Sequence, residues 1–416
     1  MTTATEQPSR QGAVTGWASG TKQALDRPLT SYYLLLGAST LLLTIGLMMV
    51  LSASSVEAYK TYGSSYHYFL KQLMWVGIGL PVAWVASRLP HGFLRRLAWL
   101  VLLVSTVLLV LTQVPGLGKE VNGNTNWLAL GPLTIQPSEF AKLAIILWCA
   151  HIYARKERLL GDWRHTLIPV LPVTGLLTLI VIKGGDLGTA LVLFAIVLGM
   201  LWVVGAPGRL FGGALLVVAA LALYLASTSA ERLERLTNFV DPFKNYEGAG
   251  WQAAHGLFAM SSGGWFGKGI SASQQKWGSL PEAHTDFIFA VLGEELGLVG
   301  TLLVLALFLT IAYAGIRVAL RTTDPFVRYM AAGITVWITA QMMINIGMVL
   351  ALLPVIGIPL PLVSYGGSAL LPTLVALGLL VSFARSEPGA REALAARRRR
   401  RPAGAAAEGR QHGRGK

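Results

Sequence analysis

Apolar residues occur along most of this chain in blocks of about 20, and short polar stretches separate the blocks. An α-helix of about 20 apolar residues is long enough to span the roughly 30 Å of hydrocarbon in a bilayer. The pattern therefore predicts an all-α, polytopic integral membrane protein with about ten transmembrane helices. The predicted spans are 31–52, 69–87, 95–113, 138–153, 166–182, 186–204, 210–227, 286–316, 328–350 and 368–383.

The segments around these spans divide the chain into a membrane domain, 31–385, and two tails. Residues 1–30 are polar and lack the apolar core of a signal peptide, so we interpret them as a cytoplasmic tail. Residues 386–416 are basic and are predicted to form a disordered cytoplasmic tail. Residues 228–285 are too many for a plain connection, and they are predicted to form a large extracytoplasmic loop between helices 7 and 8.

Composition argues against a nucleic-acid partner and against sites built from cysteine. Hydrophobic residues make up 54% of the 416 residues, charged residues make up 13%, and the formal net charge is +14. Much of that charge lies near the C-terminus, beginning with Arg397–Arg401, so we attribute it to contact with anionic membrane lipids and predict no nucleic-acid partner. The only cysteine, Cys149, lies in an apolar block, which excludes a disulfide framework and a cysteine metal site.

Basic residues of the short loops concentrate on one side of the predicted bundle. With the N-terminus inside, the cytoplasmic loops contain Arg88, Arg95, Arg96, Arg155, Lys156, Arg158, Arg164, Arg209, Arg317, Arg321 and Arg328. The positive-inside rule then places both termini in the cytoplasm of a multi-pass cytoplasmic-membrane protein. The segments with unusual polar residues all lie on the opposite side, so the function is predicted to face outward.

The segment 280–300 carries ionisable residues at the head of a long apolar run: His284, Asp286, Glu294 and Glu295. A helix over 286–316 would be about 46 Å long, which exceeds the hydrocarbon thickness, so its first part must project from the bilayer. This places the two glutamates at the interface and Asp286 at headgroup height. The alternative is a helix start, in which Thr285 is the cap and the helix dipole favours Asp286.

Two further outer segments carry charged residues at helix starts. In the sequence QPSEFAKL, Glu139 and Lys142 share one helix face and can pair. The pair either anchors the helix or forms an electrostatic wall for a polar headgroup. In KGGDLGT, Asp186 either caps the next helix or contacts the substrate directly.

The long loop is a candidate lid that is rich in Gly, Trp and Phe. Its basic residues are Arg232, Arg235, Lys244, Lys268 and Lys276. They are suited to binding a diphosphate, and the alternative for each is a solvated or lipid-facing charge. Gln252 and His255 are candidates for hydrogen bonds to sugars, although His255 alone is more typical of a structural role.

The segment from Asn345 to Leu370 cannot be one helix, because prolines interrupt it. Non-helical backbone at membrane depth must line a cavity or be buried in protein. Asn345, Ser364 and Tyr365 are therefore predicted to line the outward cavity, or to satisfy the backbone groups that the break leaves free.

Four motifs together resemble a known family: QPSEFAKL, GDLGTA, PEAHTDFIFAVLGEELG and LPLVSYGGS. In this order and spacing they are similar to the SEDS family of bacterial cell-wall proteins, which includes FtsW, RodA and SpoVE. The resemblance covers roughly 34–383, and its details are more similar to FtsW than to RodA.

The resemblance implies a peptidoglycan glycosyltransferase that polymerises lipid II on the outer face of the membrane during septal wall synthesis. A class B penicillin-binding protein and other divisome membrane proteins are the implied partners. Carried onto this chain, the family's essential aspartate is Asp286. Because polyprenyl diphosphate is a stable leaving group, one carboxylate base suffices, and we predict that Asp286 is that base. Either a divalent cation (Mg²⁺ or Mn²⁺) or basic side chains must balance the diphosphate charge.

Two other classes of function remain open. A transporter would use the same cavity to flip lipid II, with the acids binding or relaying ions. A divisome scaffold would have no activity of its own. An elongation-type polymerase, similar to RodA, is the alternative within the family.

Overall fold

The computed structural model of the protein describes residues 27–121, 124–131, 133–227, 241–244, 246, 248, 250–390 and 392–393. Helices dominate this part of the chain. They are α1 (Thr30–Tyr62), α2 (His67–Ala86), α3 (His91–Leu111), α4 (Pro137–Arg155), α5 (Trp163–Leu167), α6 (Val170–Lys183), α7 (Leu187–Val204), α8 (Gly208–Ser227), α9 (Trp251–Ser262), α10 (Ile288–Arg321), α11 (Pro325–Val349) and α12 (Leu370–Arg385). Short 3₁₀ turns cover Glu157–Leu159, Gln275–Trp277 and Gly367–Ala369.

Helices stand at all ten predicted spans, and the all-α, polytopic fold class is confirmed. Within the described residues, eight helical segments are long and apolar enough to cross a membrane. α4 falls outside that set, because the charged Glu139 and Lys142 lower its hydropathy. The predicted span 166–182 corresponds to α5 and α6, with Pro169 between them. The count of ten membrane crossings stays a prediction.

A small antiparallel sheet lies in the outer loop before α4. Its strands are β1 (Gly118–Val121), β2 (Asn124–Leu130) and β3 (Leu133–Ile135), in the order β1–β2–β3. Lys119 pairs with Trp127, and Leu128 pairs with Ile135. The sheet is fixed to the α6–α7 turn, because the Thr125 amide donates to the Gly184 carbonyl. The short strands carry no apolar alternation long enough to indicate them in the sequence.

α4, α10 and α11 form the centre of the helical bundle. α10 packs against α1 and α11, and α11 packs in turn against α4 and α7. Large side chains, among them Trp148, Tyr153, Phe308 and Trp337, are buried in this core. The segment 350–366 follows α11 and leads into α12 without regular helix, as its prolines predict. This arrangement holds the broken segment next to the start of α10.

α10 is broken at Gly297, which differs from the unbroken helix predicted from the sequence. Gly297 has φ 68° and ψ −165°, and a side chain there would collide with the backbone of Gly267. The backbone groups freed by the break pair with the loop at 263–269. These hydrogen bonds are Lys268 N to Glu294 O (2.9 Å), Gly269 N to Glu295 O (3.0 Å), Leu298 N to Gly264 O (2.9 Å) and Val299 N to Trp265 O (3.1 Å). The loop therefore supplies the partners that the helix lacks.

Parts of the predicted domain organisation lie outside the described residues: most of the N-terminal tail, residues 228–240 of the large loop, and the end of the basic tail from 394 onward. The described part of the large loop contains α9, which packs against α10 and α11. The loop is therefore built onto α10, which follows Asp286, and onto α11, which carries Asn345.

Candidate active site

Asp286 lies in the turn directly before α10, and its side chain is half-buried. Its main-chain oxygen accepts a hydrogen bond of 2.8 Å from Nδ2 of Asn345, a fully buried residue of α11. The same Nδ2 donates to the carbonyl of Ile358 at 2.7 Å. One amide group therefore joins the turn that carries Asp286 to the broken segment after α11.

Ser364 and Tyr365 make two further connections between these segments. The Ser364 hydroxyl donates to the Thr285 carbonyl at 2.6 Å and accepts from the Leu360 amide at 2.8 Å. The Tyr365 amide donates to the His284 carbonyl at 2.9 Å. The structure thus brings the three predicted residues of this region to the Asp286 turn. Their observed contacts satisfy backbone groups, and their contact with a substrate stays a prediction.

The Asp286 carboxylate faces Gly357 in the broken segment. A Cβ at Gly357, whose φ is +70°, would come within 3.4 Å of Asp286 Oδ2, and Gly357 itself is exposed. Burial, together with the nearby carboxylates of Glu282 and Asp186, raises the pKa of Asp286 to about 7. At neutral pH the carboxylate is thus part-protonated, which is the range in which a general base works best.

Asp186 caps α7, as one of the two predicted alternatives requires. Its Oδ1 accepts from the Thr189 amide at 2.8 Å. Its Oδ2 accepts from Gln136 Nε2 at 3.0 Å and from Ser138 Oγ at 3.4 Å. Both carboxylate oxygens of Asp186 therefore have protein partners, and its role as helix cap accounts for its position without a substrate.

Glu139 and Lys142 form a buried ion pair of 2.7 Å. Lys142 also donates to Gln341 Oε1 at 2.9 Å, and Gln341 Nε2 donates to the Pro359 carbonyl at 2.9 Å. The pair is therefore connected through Gln341 to the broken segment that faces Asp286. Glu139 Oε2 is buried without a hydrogen-bond partner. The predicted pairing is confirmed, and the chain of contacts joins the pair to Pro359 in the broken segment.

His284 is buried next to the outer ends of α1 and α2. Its Nδ1 lies 3.3 Å from Glu57 Oε2. Its ring centroid lies 4.4 Å from that of Tyr68 and 5.6 Å from that of Tyr365. Glu57 and Tyr68 lie in the outer stretch that follows the first predicted span, but no local pattern in the sequence indicates that they meet His284.

Glu294 and Glu295 are fully buried and bind the loop that precedes them. Glu294 accepts from Lys268 Nζ at 2.8 Å and from Ser273 Oγ at 2.6 Å. Glu295 accepts from Ser52 Oγ at 2.6 Å and from Lys276 Nζ at 3.1 Å. These contacts give both acids, and both lysines, a role in anchoring the loop to α1 and α10. Their role in substrate binding stays a prediction.

Lys244 of the large loop is exposed, and its Nζ lies 3.7 Å from Asp241 Oδ2. Gln252 lies in the first turn of α9 and is half-buried. His255 contacts Tyr246 Oη through Nε2 at 3.2 Å, and its ring lies 4.0 Å from that of Trp251, which fits the structural role. Arg232 and Arg235 lie outside the described residues.

A metal site made only of protein side chains is not present among the described residues, since no three His, Cys, Asp or Glu side chains come together there. Mg²⁺ is commonly held by one or two carboxylates together with substrate phosphates. The predicted divalent cation therefore stays a prediction.

The sequence model of the family described as "Cell cycle protein" (FtsW/RodA/SpoVE) matches residues 32–388. The chain belongs to this family. FtsW of Mycobacterium tuberculosis, whose name gives it as a probable peptidoglycan glycosyltransferase, is 42% identical over 374 residues, which cover 90% of this chain and 71% of the relative. Stage V sporulation protein E of Bacillus subtilis is 38% identical over 352 residues, which cover 85% of this chain and 96% of that protein. The predicted family membership is confirmed.

Solved structures of the family have the same architecture. A chain from a peptidoglycan synthase complex that coordinates polymerisation and crosslinking superposes with a TM-score of 0.67 at 28% identity, over 84% of this chain and 96% of that one. The rod shape determining protein RodA of Thermus thermophilus superposes with a TM-score of 0.61 at 29% identity, over 86% and 97% of the two chains. The polytopic fold described above is therefore the fold of this family.

Proposed function

We propose that this chain is a peptidoglycan glycosyltransferase that polymerises lipid II during septal cell-wall synthesis. The observation that carries the proposal is the position of Asp286, whose carboxylate has a raised pKa and faces the exposed Gly357. Relatives named as probable peptidoglycan glycosyltransferases cover nearly the whole chain, which supports the same activity.

The reaction joins two lipid-linked sugars. The 4-hydroxyl of the acceptor N-acetylglucosamine attacks C1 of the donor muramyl residue, the bond from C1 to the polyprenyl diphosphate breaks, and the diphosphate leaves with the bonding electrons. Asp286 takes the hydroxyl proton. The leaving group needs no proton, so a second carboxylate acting as general acid is not required.

Depth in the membrane supports this role for Asp286. α1 has 33 residues, about 50 Å at about 1.5 Å per residue, so its outer end must project beyond roughly 30 Å of hydrocarbon. Ser52 of α1 contacts Glu295, and Glu57, farther out on α1, contacts His284. Asp286 follows His284 by two residues and therefore lies near headgroup height. A lipid-linked sugar reaches that height while its polyprenyl chain stays in the bilayer.

Cations must still balance the charge of the leaving diphosphate. Lys142, Lys268 and Lys276 are each paired with a carboxylate, so their charge is already partly neutralised. Arg232 and Arg235 of the large loop stay candidates for this role, because arginine offers bidentate donors to phosphate oxygens.

The proposed surroundings are the cytoplasmic membrane at the division septum, with both termini in the cytoplasm. A class B penicillin-binding protein is the proposed partner. One of the solved structures of similar fold comes from a peptidoglycan synthase complex, which supports a partner of this kind.

Reconstitution tests the proposal against the transporter alternative. The purified chain is reconstituted in liposomes with lipid II and the partner transpeptidase. Glycan polymer and movement of lipid II between leaflets are then measured separately. We expect polymer without stimulated movement. Lipid II movement without polymer, in the presence of the partner transpeptidase, would overturn the proposal.

A further inference from the structure

Five aromatic rings form a continuous row at the outer end of the bundle, and we call this row the aromatic track: Tyr62, His67, Tyr68, His284 and Tyr365. Tyr62 and His67 are stacked, with centroids 3.7 Å apart and an interplanar angle of 11°. The ring centroid of Tyr68 lies 5.6 Å from that of His67, 4.4 Å from that of His284 and 5.2 Å from that of Tyr365. Residues far apart in the chain thus form one connected aromatic cluster, in which the His284 ring is buried and the other four rings are partly or largely exposed.

The inner end of the aromatic track is fixed to the site. His284 precedes Asp286 by two residues, and its carbonyl accepts from the Tyr365 amide. Burial and the neighbouring Tyr62 raise the pKa of Tyr365 to about 12, so its hydroxyl stays protonated and able to donate. The rings that a chain of sugars leaving Asp286 in this direction reaches first are the partly exposed Tyr68 and Tyr365, which pack on the buried His284 ring.

The outer end of the aromatic track is exposed. Tyr62 is 50% exposed, and its neighbours Tyr59 and Tyr66 are 65% and 58% exposed. Exposed tyrosines are common at membrane interfaces, where they anchor a protein in the headgroup layer. The height of Tyr62 above the hydrocarbon decides whether it can act as such an anchor.

Counting along α1 gives that height. Arg27 and the Tyr32–Tyr33 pair mark the predicted cytoplasmic end of the helix, so about 20 residues of hydrocarbon run from Leu34 to near Ala53. Tyr62 is nine residues farther on, roughly 13 Å at about 1.5 Å per residue. A headgroup layer is only about 5–8 Å thick on each side. Tyr62 therefore lies beyond the layer in which interfacial tyrosines act as anchors.

We propose that the aromatic track binds the growing glycan strand as it leaves Asp286. This inference rests on the proposed function. The apolar faces of pyranose rings pack on aromatic rings. Tyrosine hydroxyls donate or accept hydrogen bonds at the sugar edges, and the half-exposed Glu57 carboxylate accepts them. A row of rings that runs from headgroup height at His284 to Tyr62 beyond the headgroup layer suits a β-1,4-linked N-acetylhexosamine chain that is soluble and leaves the bilayer.

Binding tests the track without needing turnover. Chitohexaose, a lipid-free β-1,4-linked N-acetylglucosamine hexamer, is titrated into the full chain carrying Asp286→Asn in detergent. Adding Tyr62→Ala or Tyr62→Leu should weaken binding by about 3- to 10-fold, as expected for one lost aromatic contact, while Tyr62→Phe should retain it. Tyr313→Ala, which removes an exposed tyrosine near the other end of α10, is the matched control and should bind normally.

Tyr62→Leu separates the two roles, because leucine keeps an apolar anchor and removes the ring. Equal affinity of the Tyr62→Leu and Tyr62→Phe proteins for chitohexaose would overturn the proposal that the aromatic track binds glycan. In the chain with Asp286 intact, Tyr62→Leu should shorten the mean glycan product by about threefold relative to Tyr62→Phe, and an unchanged length would also contradict the proposal. Chitohexaose binding that depends on Tyr62 in a chain that makes no polymer would contradict the proposed function while leaving the glycan site in place.

Discussion

Asn345 donates a hydrogen bond of 2.8 Å to the main-chain oxygen of Asp286, although 59 positions separate the two residues. Its second bond, to Ile358, ties the broken segment to the same point. The position of the proposed base is therefore set by a side chain of the neighbouring helix, since the Asp286 turn itself has no regular structure.

Replacing Asn345 with alanine should therefore lower polymerisation more than it lowers expression. The change leaves the carbonyls of Asp286 and Ile358 without this donor, which costs about 1–3 kcal/mol for buried groups. A small shift of the base is expected to slow glycan synthesis by at least about tenfold. Turnover of lipid II by the purified variant measures the effect. Thr335→Val, which removes only a bond within α11, is the control, and equal activity of the two variants would contradict this role.

The rate of polymerisation should rise as the pH increases through about 7 and then level off. Asp286 must be ionised to accept a proton, and its pKa is raised to about 7, so activity is lost as pH falls below that value. Glu282→Gln removes one of the negative charges that raise this pKa, and the midpoint should then move to lower pH. Initial rates from pH 5.5 to 9 test this. A midpoint that stays in place or moves upward in the Glu282→Gln protein would be incompatible with a carboxylate base at Asp286.

Gly297→Ala should destabilise the protein. The positive φ at this position is unfavourable for alanine by about 1–3 kcal/mol, and the added methyl group collides with the Gly267 backbone. Thermal unfolding in detergent should show a lower Tm. Gly175→Ala, at a helical position with open space around it, should leave the Tm unchanged or slightly higher. Similar Tm values for both variants would mean that the break in α10 is not required.

The buried pair of Glu295 and Lys276 should behave as a unit. Glu295→Gln leaves the buried Lys276 ammonium without its carboxylate, which is expected to cost about 3–5 kcal/mol. Adding Lys276→Met to that variant should restore part of the stability, and a double-mutant cycle measures the coupling. Strictly additive losses would show that the two charges do not depend on each other.

The sequence predicted the helices well and their tertiary contacts poorly. Apolar runs of about 20 residues indicate spans because the bilayer has a fixed thickness. The break at Gly297 has no local signal, because it depends on hydrogen bonds from the loop at 263–269. Residues such as Asn345 stand out as polar positions in an apolar run, but the sequence does not show which partner each one meets.

In the candidate active site, too, the sequence indicates which residues are unusual but not which partners they contact. Asp286 is predicted from its place ahead of a long apolar run and from the resemblance to a family; in the structure its carboxylate faces Gly357 and has a raised pKa, and its role as base stays a proposal. Glu294 and Glu295 share that run, yet their contacts are with Lys268, Lys276 and Ser52. Nothing in the spacing of the acids separates one use from the other, because each carboxylate's role depends on side chains that are distant in sequence.

The most direct test of the account is glycan synthesis by the Asp286→Asn protein in liposomes with lipid II. Asparagine keeps the size of the side chain but cannot accept the proton, so we expect turnover to fall by at least about 100-fold while the protein stays folded and still binds lipid II. Asp162→Asn, which changes an exposed aspartate at the start of α5 on the predicted cytoplasmic side, is the matched control and should retain activity. Glycan synthesis by the Asp286→Asn protein at a rate near that of the unmodified chain would contradict the assignment of Asp286 as the base.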